Sequence, residues 1–221
     1  MRTDMILHLG LLFCLGAAAA PTSSHNNDMQ HPLLTENKNT IIIESSNHKQ
    51  ILVPGHNDAF YGPIPKAQQI FDIEFLEIAP SPILVNKYFF ILLRGEIPPS
   101  TRQKLHLEPS DVANATLSIT LSAVLEEGNR KQEARTYTIP LRTAELAEEA
   151  HLGIRNATGA YVDYLTLKGR NDILTDNWIP GPFVETGTWT FEIVASLTKD
   201  KNEVCLFALT LTQWLEGDGG W

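Results

Sequence analysis

The side chains whose types and spacing could do chemistry fall into three sets. Glu126/Glu127 and Glu148/Glu149 are neighbouring acids of the kind a glycosidase uses as a couple. Adjacent acids in a turn or helix far more often form a solvated face, and that is the reading adopted. Cys205 with scattered histidines suggests a thiol nucleophile. It stands on an apolar run, where a thiol is buried and inert. His25, His31, His48 and His56 are spaced so that they could hold a metal loosely. They lie in or beside a Ser/Asn/Thr-rich stretch and are read as an exposed polar tail. There is no G-x-S-x-G elbow, H-E-x-x-H pair, P-loop or G-x-G-x-x-G turn. The expectation is therefore no enzyme, no catalytic residues, no metal site and no cofactor.

Composition narrows the remaining classes. Of 221 residues, 43% are hydrophobic and 19% charged, too apolar and too weakly charged for a wholly disordered chain. The net charge of −9 argues against a nucleic-acid surface and against tight docking on anionic membranes. Two cysteines exclude a disulfide-dense scaffold and a Cys-rich zinc module. Arg2, an apolar run from Met5 to Leu15 and small residues Gly16 to Ala20 form the pattern of a signal peptide over 1–20. The run is shorter than the roughly 20 residues a membrane span needs. Its removal takes one basic and one acidic residue, Arg2 and Asp4, so the charge argument stands. It also leaves Cys205 as the sole cysteine. Residues 21–56 read as a polar, flexible leader, 57–214 as the domain, and 215–221 as a frayed tail.

From Phe60 onward the hydrophobic period is mostly two. Phe71, Ile73 and Phe75 share a face, with Asp72 and Glu74 opposite. Tyr88 to Gly95 is apolar on both faces, as a central buried strand would be. Leu117, Ile119, Leu121, Ala123 and Leu125 share one face, and Ser118, Thr120 and Ser122 the other. Tyr137, Ile139 and Leu141 are in phase, as are Trp189, Phe191, Ile193, Ala195 and Leu197. Cys205, Phe207, Leu209 and Leu211 follow the same rule. Glu126 to Lys131 and Thr198 to Glu203 carry hairpin-loop chemistry. The pattern predicts an all-β, antiparallel β-sandwich. Residues 142–183 interrupt the rhythm and read as an insertion, with a short helix from Thr143 as N-cap to Gly153 as stop. Asn114-Ala-Thr116 and Asn156-Ala-Thr158 are glycosylation sequons, expected at the surface of a secreted chain.

Two stretches carry a family resemblance. Phe60 to Ile97, with Ile73, Phe75, Ile78, Pro80, Pro82, Tyr88 to Leu93 and Gly95, resembles the opening of the ML lipid-recognition domain. Pro180 to Leu211 resembles that family's closing hairpin, with Cys205 opening the last strand. The nearest branch in pattern is the fungal phosphatidylglycerol/phosphatidylinositol transfer proteins, relatives of the lysosomal Niemann-Pick sterol carrier. The resemblance implies an immunoglobulin-like sandwich whose sheets part to admit a lipid. It also implies a cysteine just after Tyr61, paired to the one opening the last strand. Here Gly62 stands there, so that bridge is expected to be absent, and the family's middle cysteines are missing too. Each lost disulfide removes about 2–5 kcal/mol.

The expected cavity lining is Phe75, Phe90 and Leu92 from the first half of the domain, with Ile119 and Leu121. Trp189, Phe191, Ile193, Phe207 and Leu209 complete it. The expected ligand is a sterol or phospholipid, held by a monomer that touches membranes transiently, in a secreted or vacuolar/lysosomal setting. The rival expectation is a secreted protein-interaction module of the same fold with a collapsed pocket.

Overall fold

The computed structural model describes residues 50–147 and 150–218. The expected signal peptide, residues 21–49 of the expected leader, Glu148/Glu149 and residues 219–221 lie outside the described residues. Period-two alternation becomes twelve strands in two sheets among the described residues. The first half supplies β1 (Gly55–His56), β2 (Phe60–Tyr61), β3 (Asp72–Ala79), β4 (Tyr88–Glu96), β5 (Thr116–Leu125) and β6 (Lys131–Pro140). The second supplies β7 (Ala144–Ala147), β8 (Ala150–Arg155), β9 (Tyr161–Val162), β10 (Asn171–Trp178), β11 (Gly187–Lys199) and β12 (Asn202–Leu215). A seven-stranded sheet runs β1-β3-β4-β10-β8-β7, with β9 also on β8; a five-stranded sheet runs β2-β12-β11-β5-β6. Every pairing is antiparallel except β1 with β3. The chain is an all-β sandwich. Two short helices, α1 (Pro99–Lys104) and α2 (Pro109–Ala113), carry the chain from β4 across to β5.

The core forms where the two apolar faces meet. Phe207, Leu206, Leu197, Leu152 and Ile154 are fully buried, and Phe71 packs on Phe207 at 5.7 Å between ring centroids. The opposite face of the five-stranded sheet carries hydroxyls through its middle. Ser118 meets Thr138, Thr120 meets Thr136 and Thr190 meets Thr212 at 2.8–3.1 Å across adjacent strands. Such cross-strand hydroxyl pairs stabilise register and keep that face compatible with water.

Three expectations need correction. No helix spans 143–153: Ala144–Ala147 and Ala150–Arg155 are strands. Ala150, Leu152 and Ile154 alternate inward, and β10 offers β8 a full ladder, so tertiary pairing overrides helix propensity. Thr143 caps nothing; its Oγ1 donates to the Val162 carbonyl and accepts from Ile154 N. The 142–183 segment is therefore no appendage, because it supplies β7 to β10 of the larger sheet. The tail is likewise docked as far as Asp218. Leu215 is buried at the end of β12, Gly217 N donates to Thr186 Oγ1, and Asn86 Nδ2 donates to the Asp218 carboxylate at 2.6 Å.

Candidate functional site

The inner faces of the two sheets are crossed by registered rows of side chains. On the five-stranded sheet, Ile139, Leu117, Ala195 and Phe207 make one row. Tyr137, Ile119, Ile193 and Leu209 make the next, and Arg135, Leu121, Phe191 and Leu211 the one after. On the seven-stranded sheet, Leu76, Leu93, Ile173 and Ile154 form one row, and Ile78, Ile91, Thr175 and Leu152 the next.

These rows are not equally sealed. The first of each sheet lies toward the end where β4 passes through α1 and α2 into β5. There Ala195, Phe207, Leu76 and Ile154 are at most 2% exposed. One step farther along, Ile91, Ile119, Phe191 and Ile193 point at the opposite sheet and pack against the core yet stay only half-buried, while Leu121, Leu152, Leu209 and Leu211 in the same rows are buried. Beyond them the sandwich closes again on Trp189, Leu125, Leu215 and Ile83. Ile83 is tied to the other sheet through Gln213, with N to Oε1 at 3.2 Å and Nε2 to the carbonyl at 3.3 Å. The half-buried band thus has a shut end on either side. It continues to the edge strand β6, where Arg135 and Tyr137 are half-buried on the same face. Opposite lie Thr175 and Asn177, half-buried and joined by a 2.7 Å hydrogen bond from Asn177 Nδ2 to Thr175 Oγ1.

The predicted lining divides along this geometry. Ile119, Leu121, Trp189, Phe191, Ile193, Phe207 and Leu209 all stand on the inner face of the five-stranded sheet. Among them Ile119, Phe191 and Ile193 border the band, whereas Leu121, Trp189, Phe207 and Leu209 are buried. Phe75, Phe90 and Leu92 do not line it. The β3 ladder slips between Ile73 and Phe75, so Phe75 turns outward against the His56 ring, 5.5 Å away. In β4 the inward residues are Phe89, Ile91 and Leu93, while Phe90 is 55% exposed on the outer face. A strand apolar on both faces gives no phase, and only its register with Ile78 and Leu76 decides it. Ile91, Thr175, Asn177, Arg135 and Tyr137 are the band residues that the sequence pattern did not single out as lining. Tyr137 was in phase with Ile139, which was its only signal.

The other chemistry-bearing residues are dispersed. Glu126 and Glu127 are exposed in the β5–β6 turn. His56 pairs with Glu77 at 2.9 Å on the surface; His25, His31 and His48 lie outside the described residues. Among the described residues no three His, Cys, Asp or Glu side chains converge as a metal site would require. Asn114 is exposed at the end of α2, and Asn156 organises the β8–β9 turn by accepting from Thr158 N and Ala160 N. Cys205 is a free thiol, and burial, aided by Glu203, pushes it up to about 11. Position 62 donates to the Ala208 carbonyl, beside the same strand. Since the thiolate is the reactive form, Cys205 is expected to react with a disulfide reagent at pH 8 about tenfold or more slowly than an exposed cysteine. Unfolding in urea should restore the ordinary rate.

One charged cluster is partly buried, on the outer face of the seven-stranded sheet. Arg94 grips Asp172 with Nε and Nη2 at 2.8 and 3.0 Å, and Arg170 Nε lies 3.6 Å away. The Arg94 hydrogen bonds, with attraction from Arg170 and Arg155, hold the Asp172 carboxyl below its ordinary value against the opposing effect of burial. A carboxylate depressed in the folded state contributes stability above its unfolded pKa of about 3.9 and loses it as pH falls through the folded value. Wild-type stability to urea should therefore fall more between pH 5 and pH 2 than that of Asp172→Asn, by about 1 kcal/mol or less.

Compared with known proteins, the chain matches no family model and no curated protein.

Proposed function

We propose that the protein is a non-enzymatic lipid carrier that holds a sterol or phospholipid between its two sheets. The observation that supports this most is the half-buried band. Ile91, Ile119, Phe191 and Ile193 face the opposing sheet, as core residues do, yet keep solvent access. An acyl chain or sterol body laid along them would gain about 0.8 kcal/mol per methylene removed from water, without any charged site. Thr175, Asn177, Tyr137 and Arg135 at the same band offer partners for a hydroxyl or head group. The resemblance of Phe60 to Ile97 and Pro180 to Leu211 to the ML domain points the same way. The signal-like residues 1–20 and the sequons at Asn114 and Asn156 favour a secreted or vacuolar/lysosomal, glycosylated protein. A second reading, an interaction module with a closed pocket, is favoured by the sealed rows around Ala195 and Ile154 and by the exposed aromatic residues outside the larger sheet.

Native mass spectrometry of the chain purified from a secreting eukaryotic host separates the two. The carrier retains a co-purifying lipid, and its affinity for a series of fluorescent fatty acids rises about fourfold per added methylene. A ligand-free mass together with no response to fluorescent sterol, phospholipid or fatty acid would refute the carrier reading.

A further inference from the structure

The two outer faces of this sandwich differ. Across the middle of the five-stranded sheet the outward residues are mostly hydroxyls, whereas the centre of the seven-stranded sheet shows large apolar side chains. Tyr88 is 49% exposed, Phe90 55% and Trp178 38%. Leu92 and Leu174 continue the stripe, half-buried, and Phe75 and Tyr161 flank it on either side. A contiguous apolar stripe rimmed by charge marks an interaction surface.

The register shows which partner it fits. β4 and β10 are adjacent antiparallel strands at the middle of the sheet. Their outward residues pair as Tyr88 with Trp178, Phe90 with Asp176, Leu92 with Leu174, and Arg94 with Asp172. Consider a second copy laid face to face, related by a two-fold axis running between these strands along their length. The axis exchanges the two columns, so each β4 residue meets the β10 residue of the same row in the other copy. Tyrosine then meets tryptophan, leucine meets leucine, and Arg94 meets Asp172. One column outward, β3 meets β8, which brings the Phe75 ring toward Arg155, whose guanidinium lies over the Tyr161 ring of its own chain. Asp172 in each copy already holds Arg94 and attracts Arg170. Across the axis each Asp172 faces a second Arg94 and each Arg94 a second Asp172. Three of the four rows are complementary across this axis, as an isologous dimer requires, and the fourth sets Phe90 against Asp176.

We infer that the protein forms a two-fold dimer through the outer face of its seven-stranded sheet, with Tyr88, Phe90, Leu92, Leu174 and Trp178 at its centre. This departs from the monomer that the sequence suggests and is independent of the lipid reading. Six strand columns at about 4.8 Å span about 29 Å, and the four rows about 20 Å, so the face is near the lower size limit of specific interfaces. Association in the micromolar range is expected.

Sedimentation velocity of the full chain, from about 1 to about 500 μM, tests this range. Wild type should pass from monomer to dimer, and Trp178→Glu and Phe90→Asp should each weaken the dimer about tenfold or more without lowering the melting temperature. Phe90→Lys distinguishes the register, because the proposed axis places that position opposite Asp176 of the second copy. It should lose about threefold or less, where Phe90→Asp loses tenfold or more. A chain that stays monomeric throughout, including one that instead binds phosphatidylcholine vesicles, overturns the proposal. So does a dimer indifferent to Trp178→Glu and Phe90→Asp, and so does an equal loss for Phe90→Lys and Phe90→Asp.

Discussion

Ile193→Trp is expected to abolish lipid binding while leaving the fold standing. Ile193 sits between Ile119 and Leu209 in its row, facing the other sheet, and is only half-buried. An indole there would fill the space proposed for the lipid. Excluding even three methylenes of a chain costs about 2.4 kcal/mol, roughly a fiftyfold loss of affinity for a fluorescent phospholipid. The melting temperature tells whether space was present. In a filled core the added volume would destabilise by about 1–3 kcal/mol, whereas in an open band the cost should stay below about 1 kcal/mol. Ala195→Trp, in the sealed row and with no exposed surface, provides the contrast and is expected to prevent folding. Equal destabilisation by the two substitutions would mean that the band is as full as the core.

Gly95→Ala is expected to cost much stability for the addition of one methyl group. Gly95 lies inward and buried in β4, opposite Ile73 at the point where the β3 ladder slips. A Cβ there would come within 2.2 Å of the Asp72 carbonyl oxygen and 2.5 Å of the Phe71 ring. Backbone cannot yield as a flexible side chain can, and Phe71 is itself packed on Phe207. The cost is expected at about 3 kcal/mol, at the upper end for overpacking. Chemical denaturation should show the midpoint falling at unchanged slope. A loss below about 0.5 kcal/mol would contradict the close approach of β3 and β4.

The sandwich was legible in the sequence because alternation survives wherever one face meets water. β5 shows this best, with Ser118, Thr120 and Ser122 outside and Leu117, Ile119 and Leu121 inside. The hairpin turns at Glu126 to Arg130 and at Asp200 and Lys201 were equally plain from their polar, turn-forming residues. Three features were hidden for physical reasons. β4 is apolar on both faces, since its outer face is a bare apolar stripe, so alternation could not assign Phe90 or Leu92. β3 keeps its alternation in sequence but not in space, because a bulge consumes one residue and turns Phe75 outward. Residues 143–153 are rich in alanine, leucine and glutamate, which favour helix locally. Only the ladder to β10, a contact across about 20 residues of chain, makes them strand. Within the site, the five-stranded wall was readable and the facing wall was not, since Ile91 and Thr175 owe their positions to register alone.

The central claim is that a lipid lies between the sheets along the half-buried band. Photo-crosslinking with a phosphatidylcholine carrying a diazirine near its acyl terminus, followed by peptide mapping, tests it most directly. The account predicts adducts on the peptides that contain Ile91, Ile119 and Phe191 to Ile193, suppressed by excess unlabelled lipid and absent from Ile193→Trp. Labelling confined to the outward-facing Tyr88, Phe90 and Trp178, or labelling that unlabelled lipid does not suppress, would contradict it.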